Sequence, residues 1–458
     1  MPEHKSCLEP CHPAGQATVA FVRIAFFCPP LASHVAVMIA IANELAHRGH
    51  ACFLVHHPQL APLTAGTALA MLPLPADGCP WTPADMARHA RLRPLPFGVR
   101  AIVRDMAAMT ESLCQAGPAL LRTARIDAVV SDQMEAAGSL VAEHLGLPCV
   151  TVASAVPINR EPLVPLPVLP FPYQETDEAL HRNVVTTRIA DWMTAAHDRT
   201  IARLAEQLGC APKQRLHDCL SPLADIVQLP RALDFPRRQA SRMHFVGPLR
   251  TTQAAAAAPL PPVDPTRPLV FVSLGTLQGH RHGLLRRIAL ACQHLGVQSL
   301  VAHCGGLTPA QAARVPATWV VDRVDQRAAM RRADAVVAHA GLNTALDALA
   351  EGVPLLCLPL AFDQPGVAQR VQRAGAGLVL PGSASVTRIG AALRRVLHEP
   401  ALREGARRLQ PEIAAAGGAR AAADIVEQVV HAGLEPAVPR IDSPAAEAPS
   451  DARAAVSR

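Results

Sequence analysis

The sequence predicts an α/β protein made of two tandem Rossmann-like domains, each with a parallel β-sheet, that face each other across a cleft. Short apolar runs alternate with helical patterns in both halves of the chain, which is typical of βαβ units. A stretch rich in proline and alanine, residues 251–268, separates the halves and is predicted to be a linker. The length of 458 residues is sufficient for two cores, because a single core rarely exceeds roughly 250–300 residues.

The first domain is predicted to span residues 21–250 and contains the order strand, loop, helix, glycine, strand twice. Gly49 and Gly146 end the two helical patterns, because glycine is favoured just after a last helical turn. The two units are predicted at 22–27, 34–48 and 51–55, and at 127–131, 136–145 and 149–153. Crossover helices of this kind indicate parallel strands.

The second domain is predicted to span residues 269–434, and its last helix is expected to pack back on the first domain. Its strands are predicted at 269–273, 299–303, 335–339 and 354–358, with a helix over about 343–351. Ligands of open parallel sheets bind beyond the carboxyl ends of the strands. We therefore expect the chemistry in the loops after Phe27, Ser131, Ser273 and His339, with two substrates meeting between the domains.

Composition excludes several classes of protein. The formal net charge of +6 is small for this length and gives no support to nucleic-acid binding. The twelve cysteines form no CxxC pair, which indicates a reducing cytoplasm. No apolar run approaches the ~18 residues of a membrane span, and the N-terminus lacks the pattern of a signal peptide, so any membrane contact is expected to be peripheral. Residues 1–20 and 435–458 are polar and aperiodic and are predicted to be disordered.

Residues 339–347, with the sequence HAGLNTALD, combine a strand end, a glycine turn and a helix start. Free backbone N–H groups and the helix dipole make such a helix start suitable for a diphosphate. His339, Asn343 and Thr344 are predicted to donate to its oxygens, and Asp347 to accept from ribose hydroxyls. The alternative is that Asn343 merely caps the helix and that His339 is an ordinary strand-end residue.

The next predicted strand leads into a second polar pair, Asp363 and Gln364. Side by side, a carboxylate and an amide offer acceptors and donors for adjacent sugar hydroxyls. An ordinary capping loop is the alternative. A phosphate site and a sugar-matched pair on successive loops of one sheet predict a pocket for a nucleotide sugar.

These residues together resemble the donor-binding signature of the UDP-glycosyltransferase superfamily, whose members have the GT-B fold. The resemblance implies that Gln326 contacts uracil and that Ser273 lies near the phosphates. It also implies the roles given above for the diphosphate, ribose and hexose ligands. The signature tryptophan that stacks on uracil aligns with Arg323, whose planar guanidinium is also able to stack. Leu342 replaces a second signature tryptophan, and Asp347 stands where the family has glutamate.

The resemblance is closer to one branch, the bacterial zeaxanthin glucosyltransferases, and covers about residues 20–430. It implies UDP-glucose as co-substrate and a hydroxylated carotenoid as acceptor. The blocks that carry it are 131–135 (SDQME), 159–162 (NREP), 233–236 (LDFP), 246–250 (VGPLR), 273–281 (SLGTLQGHR) and 360–367 (LAFDQPGV).

His34, at the junction of the first loop and helix, is the candidate general base. Asp132, after another strand of the same sheet, is predicted to accept from its other ring nitrogen, with Glu135 as the alternative partner. The superfamily resemblance places a catalytic His and Asp on His34 and Asp132. The predicted reaction is an in-line displacement that inverts an α-linked donor to a β-glucoside. We find no acidic pair spaced for a divalent ion and predict no metal.

The sequence indicates the acceptor site less clearly than the donor site. The apolar, proline-rich stretches 72–75 and 162–170 either line a channel for a long polyene or are buried connecting loops. Five arginines alternate with apolar residues between positions 88 and 104, either as a patch for anionic lipid or as a solvated helix face: Arg88, Arg91, Arg93, Arg100 and Arg104.

Four other functions share parts of this sequence pattern. A dinucleotide-dependent dehydrogenase is disfavoured because the loop 28–33 has no glycine. A nucleotide-sugar epimerase would share the donor pocket but would need no apolar acceptor cleft. A UDP-glycosyltransferase acting on a macrolide, sterol or polyketide differs only in its acceptor. A non-enzymatic nucleotide-binding relative is disfavoured by the presence of His34 and Asp132.

Overall fold

A computed structural model of the protein describes residues 21–75, 97–251 and 260–434. It contains two parallel sheets, a seven-stranded one with the order β3-β2-β1-β4-β5-β6-β7 and a six-stranded one with the order β10-β9-β8-β11-β12-β13. In both, the chain reverses its direction of winding beside the first strand, as in Rossmann-type sheets. The predicted α/β architecture of two Rossmann-like domains is confirmed.

The first sheet and its helices lie between residues 23 and 245. Their bounds are β1 Arg23–Phe27, α1 Ala32–His47, β2 Ala51–His56, α2 Ala61–Thr64, β3 Leu69–Pro73, α3 Phe97–Thr123, β4 Ala128–Asp132, α4 Ala136–Leu145, β5 Cys149–Ala153, α5 Asp177–Gln207, β6 Asp225–Val227 and β7 Met243–Phe245. Short 3₁₀ turns occupy Pro58–Leu60, Leu216–Cys219 and Arg231–Leu233.

The second sheet and its helices follow from residue 269. Their bounds are β8 Leu269–Ser273, α6 Gly275–Gln278, α7 His282–His294, β9 Gln298–Ala302, α8 Pro309–Ala312, β10 Trp319–Val321, α9 Gln326–Arg332, β11 Ala335–Ala338, α10 Leu342–Ala350, β12 Leu355–Cys357, α11 Gln364–Arg373, β13 Gly377–Val379, α12 Val386–His398, α13 Pro400–Ala415 and α14 Gly418–Leu434.

The central strands are apolar on both faces because helices cover both sides of each sheet. Every residue of β4, β5, β8, β9 and β11 is buried. Gly146 ends α4 in the left-handed conformation, with φ 67°, which a residue with a side chain rarely adopts. The strands therefore form rigid centres that fix the loops at their carboxyl ends.

The last helix, α14, returns from the second domain and packs against α1 of the first. Its buried face includes Ala422 and Val426, which share one apolar core with Ile41 of α1. Arg48, at the end of α1, pairs with Asp424 and Glu427 at 2.6 and 2.7 Å. The C-terminal helix therefore belongs to the first domain's core although its sequence follows the second domain.

A buried ion cluster joins the two domains directly. Arg370 of α11 lies 2.8 Å from the Asp234 carboxylate of the first domain and 4.1 Å from the centre of the Phe235 ring. Arg237 contacts the other Asp234 oxygen at 2.7 Å. Gly366, in the first turn of α11, donates to the Pro167 carbonyl at 2.8 Å. The two domains are thus in contact around the start of α11.

Several predicted features lie outside the described residues: both chain tails, positions 252–259 of the linker, and Arg88, Arg91 and Arg93. The rest of that arginine patch, Arg100 and Arg104, lies on α3. Within the described parts of the chain, no helix is both long enough and apolar enough to cross a bilayer.

Candidate active site

The first half of the site lies where β1 and β4 pair, at the point where the sheet changes its winding direction. His34 is in the first turn of α1, which follows β1 after a short Pro-Pro loop. Asp132 is the last residue of β4. The His34 Nδ1 atom lies 2.7 Å from the Asp132 Oδ2 atom, and both residues are buried. The structure therefore brings together the two residues that the sequence analysis paired.

The second Asp132 oxygen accepts from the backbone N–H of Met134 at 2.8 Å. Both carboxylate oxygens are therefore occupied, which fixes the direction in which Asp132 faces His34. Burial opposes protonation of His34, but the charge of Asp132, its hydrogen bond and then the charge of Asp363 together raise the pKa of the imidazole. The Nδ1 contact leaves the other ring nitrogen, Nε2, as the atom able to act on a substrate.

Glu135 is not the partner of His34. It precedes α4, and its Oε1 atom accepts from the Ala137 N–H at 3.1 Å and from the Thr110 hydroxyl at 2.9 Å. The same hydroxyl lies 3.1 Å from Nε2 of His197 on α5. Burial raises the pKa of Glu135 to about 7. Glu135 therefore links α3, α4 and α5 close to the His34–Asp132 pair.

The second half of the site lies where β8 and β11 pair, at the corresponding point of the second sheet. β11 ends one residue before His339, and the turn continues through Ala340, whose φ is 61°. The His339 ring packs against two glycines: a Cβ atom would lie 2.4 Å from Nε2 at Gly341 and 2.8 Å from Cε1 at Gly275. Both positions therefore need glycine for the imidazole to lie there.

His339 is a neutral imidazole in this structure. Burial lowers its pKa to about 4, opposed only by a backbone hydrogen bond at Ser273. Its Nδ1 atom is buried without a hydrogen-bond partner among the described residues. Such an atom is normally satisfied by water or a ligand. The sequence predicted that His339 donates to a diphosphate, and a neutral imidazole is able to supply such a hydrogen bond without a positive charge.

The helix α10 begins at Leu342 and is preceded by Gly341. Asn343 is thus the second helical residue, so the alternative that it is the N-cap is wrong. No side chain among the described residues caps this helix. Its first N–H groups are therefore free of side-chain partners, as an anion site requires. Thr344 is buried in the same first turn.

Asp347 is held by one residue that the sequence predicted in the site and by one that it did not. Gln326 donates to its Oδ2 atom at 2.8 Å, and Arg250 donates through Nε to its Oδ1 atom at 3.0 Å. The predicted uracil contact and the predicted ribose contact are therefore bonded to each other. Arg323, at the position of the signature tryptophan, has a side chain that is 69 % exposed.

Arg250 is the residue that sequence reasoning missed. It lies at the end of the first domain, and it also donates to the Asn343 side-chain oxygen at 3.2 Å and to the Asn343 carbonyl at 3.0 Å. Only its place at the end of the block 246–250 marked it, and no motif connected it with the donor loops. Its guanidinium places a positive charge beside the first turn of α10.

Asp363 and Gln364 have different surroundings. The Asp363 carboxylate accepts from the Val156 N–H, in the loop after β5 of the first domain, at 3.2 Å. Burial raises the pKa of Asp363, opposed by that hydrogen bond and by His34. The Gln364 Oε1 atom accepts from Leu360 and Ala361 at 2.8 and 2.9 Å. Asp363 therefore interacts electrostatically with His34 of the opposite domain, while the Gln364 oxygen holds its own loop together.

Ser273 ends β8, and its hydroxyl accepts from the Gly275 N–H at 3.3 Å. It is buried and lies two residues before Gly275, which adjoins the His339 ring. Within the described residues, no three His, Cys, Asp or Glu side chains are grouped as a metal site would require. Independence from metal remains a prediction of the sequence.

A family model described as "UDP-glucoronosyl and UDP-glucosyl transferase" matches residues 99–411. Two relatives named zeaxanthin glucosyltransferase are similar over most of the chain. The one from Pantoea ananas is 40 % identical and covers 89 % of this chain and 96 % of its own length. The one from Pseudescherichia vulneris is 41 % identical and covers 90 % of this chain and 98 % of its own length.

The fold is also similar to that of solved glycosyltransferases. A crystal structure of the calicheamicin glycosyltransferase CalG4 matches with a TM-score of 0.73 at 23 % identity. The match covers 91 % of this chain and all of that one. At this identity the likeness shows the fold alone, which is the GT-B arrangement of two facing Rossmann-like domains.

Proposed function

Since the chain belongs to the UDP-glucoronosyl and UDP-glucosyl transferase family, we propose that it transfers glucose from UDP-glucose to a hydroxyl group of zeaxanthin or a closely similar carotenoid. Family membership confirms the resemblance seen in the sequence. The choice of glucose and zeaxanthin rests on the names of the two relatives. The observation that supports the reaction most directly is the buried His34–Asp132 pair, which faces Asp363 of the other domain.

In the proposed reaction, Nε2 of His34 removes the proton of the acceptor hydroxyl as its oxygen attacks the anomeric carbon. The new C–O bond forms on the face opposite UDP, the bond to UDP breaks, and an α-linked donor gives a β-glucoside. Asp132 holds the imidazole in the required tautomer and stabilises the imidazolium that results. Asp363 adds a second negative charge near that cation.

The leaving UDP carries the electron pair of the broken bond, and its diphosphate needs stabilisation. We assign this role to the free N–H groups at the start of α10 together with Asn343, Thr344, Ser273 and the neutral imidazole of His339. Arg250 supplies the nearby positive charge. This set is proposed to act without a metal ion.

The remaining donor contacts follow the family pattern. Gln326 and Arg323 are proposed to lie against the base, Asp347 against the ribose, and Asp363 with Gln364 against the hexose. Because Gln326 donates a hydrogen bond to Asp347, this hydrogen bond must break or be shared with the nucleotide when the nucleotide binds.

Zeaxanthin dissolves in lipid, so the enzyme is proposed to work in the cytoplasm and in peripheral contact with the inner membrane surface.

The test is product identification. Purified protein is incubated with UDP-glucose, UDP-galactose and TDP-glucose, each with zeaxanthin, a macrolide or a sterol, and the products are identified by mass. Transfer from UDP-glucose to zeaxanthin well above the other pairs supports the proposal. Preference for another acceptor identifies a different apolar-acceptor transferase. UDP release without any product from any acceptor would contradict transfer.

A further inference from the structure

The solvent side of α5 carries a row of large apolar side chains. Val185, Ile189 and Trp192 are 38, 52 and 71 % exposed, and Trp192 is the most exposed large hydrophobic residue that the described chain contains. Their spacing of four and three residues places them on one helical face. Isolated exposed apolar residues are normal, but a row of three that ends in tryptophan is a feature of interaction surfaces.

The charges on this face have one sign. Arg188 and Arg199 lie on it and are exposed, and neither forms an ion pair or hydrogen bond with the described part of the chain. Between Glu178 and Glu206 the helix has only two carboxylates. Asp191 is paired with Arg160 at 2.7 Å and with Arg215 at 3.3 Å, and Asp198 accepts from the Thr194 hydroxyl at 3.0 Å. The exposed face is therefore apolar and cationic.

The inner face of the same helix is rigidly joined to the catalytic domain. α5 packs along α3. His197, on the buried side, is linked through Thr110 to Glu135, three residues after Asp132. The exposed row thus lies on the domain that holds the general base, and a surface held against it has a fixed position relative to His34.

We propose that the face formed by Val185, Arg188, Ile189, Trp192 and Arg199, named the α5 face, docks the enzyme on an anionic lipid bilayer. Tryptophan and branched aliphatic side chains enter the boundary between headgroups and acyl chains, while arginines reach anionic headgroups. Each unpaired arginine near such a surface strengthens binding about fivefold. The biological use of this docking rests on the proposed function, because a carotenoid acceptor is dissolved in that bilayer.

The α5 face contains none of the five arginines between residues 88 and 104, for which the sequence left a lipid-binding patch as one alternative. It was not apparent in the sequence because Val185, Ile189 and Trp192 resemble an ordinary buried stripe. Only the fold shows that the opposite side, with Asn183, His197 and Ile201, is the buried one. The sequence left contact with lipid as one of two alternatives for other residues, and the structure assigns such contact to the α5 face.

Binding is tested without any substrate, by co-sedimentation of the full chain with vesicles of phosphatidylcholine and phosphatidylglycerol and with vesicles of phosphatidylcholine alone. We expect binding to the first kind, with a blue shift of Trp192 emission and its quenching by brominated lipid. The double variant Arg188→Glu/Arg199→Glu is expected to lose at least about tenfold in vesicle affinity. The double variant Ile189→Ser/Trp192→Ser is expected to lose binding to the vesicles that contain phosphatidylglycerol.

Two matched controls separate the α5 face from general effects. Arg388→Glu/Arg394→Glu makes the same charge change on exposed positions of α12, and Leu223→Ser replaces a half-exposed apolar residue elsewhere. Both are expected to bind like the unaltered protein. The proposal would be overturned if the unaltered protein did not bind vesicles, or if all variants bound them equally well. A concentration-dependent dimer that the α5 variants abolish, without a change in vesicle binding, would assign the face to a second copy.

A transfer assay separates this inference from the proposed function. Zeaxanthin is presented either in vesicles or in detergent micelles, with UDP-glucose in both cases. The α5 variants are expected to lose transfer in vesicles and to keep it in micelles. Absence of transfer by the unaltered protein in both media would contradict the proposed function and leave the result of the substrate-free binding assay unaffected.

Discussion

His34 interacts with two carboxylates that belong to different domains. Asp132 contacts its Nδ1 atom at 2.7 Å, and Asp363 acts on it from the loop after β12. A base in that position is more basic than a free histidine, although burial acts in the opposite direction. It is therefore protonated over a wider range of mildly acidic pH, where it is unable to accept a proton from an alcohol.

The substitution Asp132→Asn tests this electrostatic setting. With the carboxylate removed, burial prevails and the pKa of His34 falls, so the acidic limb of the kcat/KM profile should move to lower pH. The maximal rate should fall at the same time by about 10²–10⁴-fold, because the imidazolium loses its stabilising partner. The measurement is a pH–rate profile with UDP-glucose and zeaxanthin. An acidic limb that stays in place would remove Asp132 from this role.

Among the secondary-structure elements, the turn from β11 to α10 forms the centre of the proposed binding site for the sugar donor. Ala340 has a left-handed backbone, and Gly341 and Gly275 leave room for the His339 ring. The first turn of α10 then presents backbone N–H groups without a capping side chain. Arg250 binds the same turn through Asn343 and the next one through Asp347. The last residue of the first domain thus takes part in the geometry of the proposed donor loop.

Replacement of Arg250 by methionine should weaken UDP binding. The change removes charge-assisted bonds to Asn343 and Asp347, each of a kind that contributes about 1.5–3 kcal/mol, so a dissociation constant at least about tenfold higher is expected. Arg250→Lys should restore only part of the affinity, because an ammonium group lacks the guanidinium fork. Calorimetric titration with UDP measures both.

The matched control is Arg327→Met, which removes an exposed arginine that pairs with Glu351 at 3.4 Å. It should leave UDP affinity unchanged, as exposed pairs contribute little. UDP affinity in Arg250→Met equal to that of this control would show that Arg250 plays no part in donor binding. A reduced kcat with unchanged affinity would assign Arg250 to the leaving-group step alone.

Sequence reasoning succeeded for elements with strong local signals. The helix over 136–145 and the strands over 149–153 and 269–273 have the predicted bounds, because apolar runs and glycine ends are encoded locally. It gave no indication of the three-residue strands β6 and β7, which are too short to show a period. The contact of His34 with Asp132, 98 residues apart, was predicted because both residues follow strand ends of one sheet. The contact of Arg250 with Asp347 was not predicted, because no motif in the sequence connects Arg250 with the loops of the second sheet.

At the scale of the whole molecule, the two domains are joined by a buried salt bridge and a shared helix. Arg370 and Asp234 are each about 1 % exposed, and the Phe235 ring covers the guanidinium. α14 completes the first domain's core from the far end of the chain. These contacts hold the loop of Asp363 against the domain of His34, so the catalytic geometry depends on how the domains meet.

Removal of one partner of the buried pair should be costly. Arg370→Met leaves the Asp234 carboxylate buried with only Arg237 as partner, and the free energy of unfolding is expected to fall by about 3–5 kcal/mol. The measurement is the midpoint of thermal unfolding, monitored by calorimetry. Arg373→Met, which changes an exposed arginine of the same helix, serves as control and should shift the midpoint little. Equal midpoints for the two variants would show that the pair does not join the domains energetically.

The most direct test of the two-domain mechanism is the turnover of His34→Ala with UDP-glucose and zeaxanthin, measured together with its affinity for UDP. His34 is in the first domain, and the donor loops are in the second. The variant should therefore bind UDP as the unaltered protein does, while kcat falls by about 10²–10⁴-fold. Near-normal turnover would contradict the assignment of His34 as the base that deprotonates the acceptor hydroxyl opposite a sugar held by the second domain.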